Sequence, residues 1–258
     1  MKKEKSCSLG GNEGFPTSIS FDGRDRRKMT CIIHAKNKTD TIVVSDSWNT
    51  NPKNNHLTQK IVYNEQFPCI IGHAGDSESK YNNGTSIFVL DFMHECVNAY
   101  NGNNITECIN TLQSKSYKFI YDMNLDDMYE RLVQYFIVYY DNITKTVESI
   151  SLEIVKNTNG IHSCVLNDKI NLNFTAFGRY WPDINAKYKE LNDKTNDIKN
   201  LAIKEVREKI NLEIPFSDAE RRVGGPIQWA SISKDGVLSH GVDSPKSHYP
   251  VIEKMLIL

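Results

Sequence analysis

The sequence predicts an α+β protein in which two sheets stack face to face with helices outside. Three observations carry this. Strand-like and helix-like segments fall into separate blocks (strands, two helices, strands, helices, strands) and do not alternate one by one as in a βαβ chain. Several strand-like segments are apolar on consecutive residues, so both of their faces must be covered. The hydrophobic period changes to a helical one twice, near residues 86 and 183.

The first strands follow Thr30. Thr30-Cys31-Ile32-Ile33-His34-Ala35 and Thr41-Ile42-Val43-Val44-Ser45-Asp46 flank the turn-forming Asn37-Lys38-Thr39-Asp40 and read as a hairpin. Shorter strands follow at Lys60 to Tyr63 and at Pro68 to Gly72. From Ser86 to Tyr100, Ile87, Leu90, Met93, Cys96, Val97 and Tyr100 recur at helical spacing, and Asn103 to Leu112 gives a second, shorter helix. Residues 113–130 read as irregular. Val133 to Tyr140 is strongly β-forming, Val147 to Ile154 alternates, and Ile161 to Leu166 and Phe174 to Phe177 complete the second strand block. Residues 183–210 form a charged amphipathic helical stretch, broken at Thr195, whose stripe includes Ile184, Tyr188, Leu191, Ile198, Ala202 and Val206. Pro226 to Ser233, a turn at Lys234-Asp235-Gly236 and a strand from Val237 close the chain. Residues 1–29 show neither period and read as a flexible or removable extension, with the basic run Arg24 to Lys28 as solvated linker and one domain from 30 to 258.

Composition narrows the function. A formal net charge of -1 gives no overall field to attract nucleic acid or acidic lipid. No apolar run approaches the ~20 residues of a membrane span, and the first 28 residues lack the apolar segment of a secretory signal. The six cysteines form no C-x-x-C pair and no zinc-type spacing, so they read as small buried hydrophobes in a reducing cytoplasm. The expectation is a cytoplasmic protein without a nucleic-acid or membrane partner. The chain contains no phosphate-binding G-x-x-x-x-G-K-[ST] loop, no dinucleotide G-x-G-x-x-G, no H-E-x-x-H and no G-x-S-x-G.

What remains is a set of residues in a particular order. Asp46 lies sixteen residues after Thr30, inside Asp46-Ser47-Trp48-Asn49-Thr50. Lys60 stands before Ile61-Val62, Gly72-His73-Ala74-Gly75 ends the next strand, and Val223-Gly224-Gly225-Pro226 precedes the final hairpin. This order resembles the proteasome β-subunit family of N-terminal-nucleophile hydrolases over nearly the whole chain, from Thr30 to about Leu238. Taken singly, a Thr or Lys at a strand end is an ordinary surface residue and an Asp there an ordinary turn residue; the joint order carries the resemblance.

The resemblance implies a four-layer αββα sandwich of two stacked, mainly antiparallel sheets. It implies a threonine-type amide hydrolase, a peptidase in the first reading, with no metal or cofactor. It also implies a peptide or protein substrate and assembly of identical subunits into a ring or stacked array. Thr30 would be the nucleophile once it is first in the chain, because a free α-amine can take up its hydroxyl proton and an amide cannot. Lys60 would favour the alkoxide, Asp46 would fix Lys60, and the Gly75 N–H would serve the oxyanion. Gly224 belongs to the closing turn. Three positions depart from the family pattern. Met29 stands where glycine is usual, which an initiator Met29 removed by an aminopeptidase would explain. Arg179 replaces a supporting serine in Gly178-Arg179-Tyr180. Val223 replaces a second serine, whose acidic partner is either Asp218 or Glu220. Cys31 is a rival nucleophile, but strand alternation turns it away from the face of Thr30. The competing readings are a catalytically silent subunit with an assembly role and an amidase for small molecules.

Overall fold

The computed structural model describes residues 30–49, 56–75, 77–80, 86–122, 131–157, 160–166, 173–178, 180–191, 195, 197–216 and 223–243. The predicted extension, 1–29, lies outside them. Two five-stranded antiparallel sheets dominate. The first has the order β12 (Phe174–Gly178), β1 (Cys31–Lys36), β2 (Asp40–Ser45), β13 (Ile227–Ser233), β14 (Leu238–Asp243). The second has the order β11 (Gly160–Leu166), β10 (Thr146–Asn157), β9 (Arg131–Asp141), β6 (Cys69–Gly75), β5 (Ile61–Asn64). Four helices accompany them: α1 (Val89–Ala99), α2 (Ile105–Asp122), α3 (Trp181–Lys187) and α4 (Ile198–Glu213).

Three apolar clusters show how the elements are layered. Ile32, Val43, Ala230 and Ile232 of the first sheet meet Ile70, Phe136 and Val138 of the second, and Phe136 stacks on Phe177 at 4.2 Å. The other face of the second sheet packs Ile71, Val133, Ile137 and Leu152 against Met93, Cys96, Leu112 and Phe119 of α1 and α2. The other face of the first sheet packs Ile33, Val44 and Ala176 against Ile184, Ala202 and Val206 of α3 and α4. The order of contacts is compatible with a helix–sheet–sheet–helix sandwich. It also explains the unbroken apolar runs. In β1, Ile32 faces the other sheet while Cys31, Ile33 and Ala35 face the helices, so Cys31 to Ala35 are all buried. Each large side chain so buried contributes about 1.5–3 kcal/mol of transfer free energy, so a charge at Ile32 or Ile33 would break the layer.

Three elements differ from the sequence reading. First, α1 begins at Val89, not at 86. Ser86–Phe88 (β8) pairs instead with Glu78–Lys80 (β7), and Phe88 is an extended N-cap without a side-chain cap bond. Second, α2 runs on through residues 113–122. Its buried face is Leu112, Ser116, Phe119 and Ile120, and the buried polar Ser116 interrupts the apolar stripe. The Ser116 hydroxyl is satisfied by Tyr135 Oη at 2.6 Å. Third, the break expected at Thr195 in the 183–210 stretch is wider, with α3 ending at Lys187 and α4 beginning at Ile198. Tyr188–Glu190 form a turn, and α4 restarts under Asp197, whose carboxylate accepts the Asn200 N–H at 3.2 Å. A further short pair joins β3 (Trp48–Asn49) to β4 (His56–Leu57). No helix among the described residues is long and apolar enough to cross a membrane.

Candidate functional site

The β1–β2 hairpin sets the site. Its register pairs Ile32 with Ser45, which carries the residues just beyond, Thr30 and Asp46, to one end of the first sheet. There the backbone and carboxylate of Asp46 lock onto Cys31. The Asp46 N–H donates to the Cys31 carbonyl at 3.2 Å, and the Cys31 N–H donates to Asp46 Oδ1 at 2.9 Å.

Asp46 is wholly buried and each carboxylate oxygen has two donors. Oδ1 accepts from Cys31 N–H and from Lys60 Nζ at 3.0 Å; Oδ2 accepts from the Trp48 and Gly224 N–H groups, both at 3.1 Å. Lys60 Nζ also donates to the Trp48 carbonyl at 2.5 Å. The Lys60 backbone is held as firmly. Its N–H donates to Gln228 Oε1 at 2.9 Å, and its carbonyl accepts from the His73 N–H at 3.0 Å. Burial pushes the Asp46 carboxyl up and the Lys60 ammonium down from their ordinary values. Their mutual attraction opposes both shifts, as do the Cys31 and Gly224 N–H bonds for Asp46.

A cleft of about 300 Å³ opens beside this pair, with Thr30, Lys60, His73 and Gly75 among its lining residues. By ladder geometry the Gly75 N–H points to the β5 side of β6. N–H groups alternate sides along a strand, and His73 N–H already points at Lys60. Gly75, two residues on, therefore points the same way, past the end of β5 at Ile61. Gly75 also has φ +99°, a conformation that disfavours any side chain. On the other side of Thr30, Gly178 has φ +92°, and a Cβ there would lie 1.7 Å from the Thr30 carbonyl oxygen. Only glycine lets β12 approach Thr30 this closely.

The sequence-derived candidates thus meet: Thr30, Lys60 and Gly75 line one cleft, Asp46 stands behind Lys60, and Gly224 is a donor to Asp46. Arg179, Asp218 and Glu220 lie outside the described residues. Val223 is buried in the apolar cluster between the first sheet and its helices. Cys31 lies in that same cluster, away from the cleft, and burial pushes its thiol well up, as the alternation of β1 requires. Sequence reasoning missed His73 and Asp91 in the cleft lining. For His73 a signal was present: it is two residues before Gly75 on one strand and so shares its face. Asp91 gave none, because α1 reaches the cleft only by packing across the sheet. Among the described residues no three His, Cys, Asp or Glu side chains are grouped as metal ligands would be. A scan against protein-family models finds no match, and a search of curated proteins finds none either.

Proposed function

We propose that the chain is a threonine-type N-terminal-nucleophile amide hydrolase with the proteasome-like αββα fold, acting as a peptidase. One observation carries this reading: Thr30 shares a small cleft with a buried lysine whose ammonium is fixed 3.0 Å from a fully buried, fully hydrogen-bonded aspartate. A buried ion pair is costly to build and of doubtful net value to stability, so its placement at the cleft that Thr30 lines points to chemistry.

In this mechanism residues 1–29 are removed and the Thr30 α-amine is free. The amine takes the Oγ1 proton as Oγ1 attacks the substrate carbonyl carbon, and the Lys60 charge favours the developing alkoxide. The carbonyl oxygen becomes an oxyanion that accepts from the Gly75 N–H. The C–N bond then breaks, the leaving amine takes the proton from the α-ammonium, and an ester on Thr30 remains. The amine next deprotonates a water, which attacks the ester; the C–Oγ1 bond breaks, Oγ1 takes the proton back from the α-ammonium, and the acid is released. The fold, layered as above with Asp46, Lys60 and Gly75 in family order, supports this assignment; no cofactor takes part in it.

A second reading, a silent subunit with an assembly role, is favoured by the Arg179 and Val223 departures and by any extension left uncleaved before Thr30. While Met29 remains attached, the Thr30 nitrogen is an amide and accepts no proton. The test is the intact mass and N-terminal sequence of the protein from its native cells, followed by peptide hydrolysis with Thr30→Ala as control. A chain that begins at Thr30 and loses hydrolysis with Thr30→Ala supports the enzyme. A chain that retains Met29, or hydrolysis unaffected by Thr30→Ala, refutes it.

A further inference from the structure

We propose that the cleft selects a substrate residue with an apolar stem and a cationic tip, a lysine or arginine on the acyl side of the cleaved bond, and that Asp91 is the selecting group. The inference rests on the amide-hydrolase reading. A carbonyl carbon held at Thr30 is one bond from its own Cα, so the side chain of that residue is the one the cleft receives. At about 300 Å³ the cleft is at the low end of ligand pockets, ~300–1,000 Å³. It is large enough to receive a side chain.

The chemistry of the lining defines that side chain. Phe88, Leu90 and Met93, from β8 and the start of α1, supply an apolar wall. Asp91 lies on the same first helical turn and is the one carboxylate among the described lining residues. The cleft's lysine does not neutralise it, because Lys60 is held by Asp46 and the Trp48 carbonyl. Among the described residues nothing pairs with Asp91. A methylene chain can lie along the apolar wall with its charge at the wet end, as long cationic side chains do. An anionic side chain would be repelled, and a purely apolar one would leave Asp91 without a partner. The alternative role for Asp91 is structural: an acidic residue in the first turn of a helix interacts favourably with its positive end. That role predicts no dependence on the substrate side chain.

The experiment compares peptides identical except for lysine, norleucine or glutamate at the residue whose carbonyl is attacked. Wild-type chain, D91N and D91K are expressed full length in the native cells, so that processing takes its own course. Ratios of kcat/KM within one sample do not depend on the folded or processed fraction. The wild type is expected to favour lysine over norleucine by on the order of tenfold. D91N should bring that ratio to within about twofold, and D91K should reverse the order of lysine and glutamate. A wild-type preference for norleucine or glutamate, or a lysine preference unchanged in both variants, overturns the inference and leaves the hydrolase reading standing. Failure of every peptide, together with no labelling of Thr30 by threonine-directed electrophiles carrying the same three side chains, overturns the hydrolase reading and the inference with it.

Discussion

Lys60→Met isolates the buried ion pair, because methionine preserves much of the stem and removes only the charged end. The Asp46 carboxylate would remain wholly buried, retaining three backbone N–H donors and losing the ammonium 3.0 Å away. The Trp48 carbonyl would lose its lysine donor as well. Removing one partner of a buried pair costs about 3–5 kcal/mol. The remaining N–H donors, and uptake of a proton by Asp46, place the expected loss near the lower figure, about 3 kcal/mol. That is roughly two powers of ten in the folding equilibrium. With a urea dependence of about 2 kcal/mol/M, the unfolding midpoint falls by about 1.5 M. Asp46→Asn should cost a similar amount, since an amide NH2 would have to face an N–H donor. The double variant should cost less than the sum of the singles by at least about 1.5 kcal/mol, because the two changes remove one interaction. Urea titrations of the four proteins at neutral pH measure this. A Lys60→Met midpoint within about 0.3 M of wild type, or additive costs, would refute the account of Asp46 as a buried charge that Lys60 compensates.

Other outcomes follow from single features. Gly178→Ala should cost at least about 2 kcal/mol in a thermal or urea melt, because its Cβ would collide with the Thr30 carbonyl at φ +92°; a variant as stable as wild type would show that β12 does not clamp Thr30. His34 is buried between the sheets, with Nε2 2.9 Å from Ser149 Oγ, and burial, with a smaller effect of Lys36, pushes its imidazole down to about 3 from 6.5. The unfolded chain therefore binds this proton first. The contribution of His34 is complete above pH 6.5 and is lost as pH falls toward about 3, amounting to on the order of 4 kcal/mol. Stability measured from pH 7 to pH 4 should fall less steeply in His34→Gln, and equal slopes would sink the assignment. Ser116→Ala leaves the buried Tyr135 hydroxyl without this 2.6 Å partner and should cost about 1–3 kcal/mol. Adding Tyr135→Phe should recover part of that loss, and a double variant less stable than Ser116→Ala alone would contradict it.

The parts of the molecule legible in the sequence are those set by local pattern. The β1–β2 hairpin follows from two apolar runs around a turn, and once the hairpin forms, its register brings Thr30 and Asp46 together. The orientation of Cys31 followed from the two-residue period alone. Less legible were features decided by distant partners. The second half of α2 was hidden because a serine occupies its buried face, and only Tyr135 across the core makes that serine tolerable. The start of α1 was misplaced because Ser86–Phe88 can satisfy its backbone in a strand pair with Glu78–Lys80, which no period reveals. In the site, Lys60 and Gly224 came from the resemblance and not from pattern, since the Gly224 N–H meets an Asp46 oxygen across 178 positions of sequence. Asp91 was missed for the same reason, since α1 lines the cleft only through packing, whereas His73 was readable from its two-residue spacing to Gly75 on β6.

The bonding of Asp46 determines which experiments on the site can be informative. Its two oxygens join the start of β1 through Cys31, the start of β3 through Trp48, the residue before β5 through Lys60 and the turn before β13 through Gly224. Those four segments position Thr30 and the cleft. Loss of activity in an Asp46 variant would therefore be expected whether or not its charge participates in the reaction, because the frame holding Thr30 would loosen with it. Thr30→Ala is different. Every bond that the Asp46 carboxylate makes is to a backbone N–H or to the Lys60 ammonium, so the Thr30 hydroxyl can be removed while these bonds are kept. A Thr30→Ala chain with an unchanged urea midpoint and no hydrolysis would assign the loss to the hydroxyl itself, which no Asp46 substitution can do.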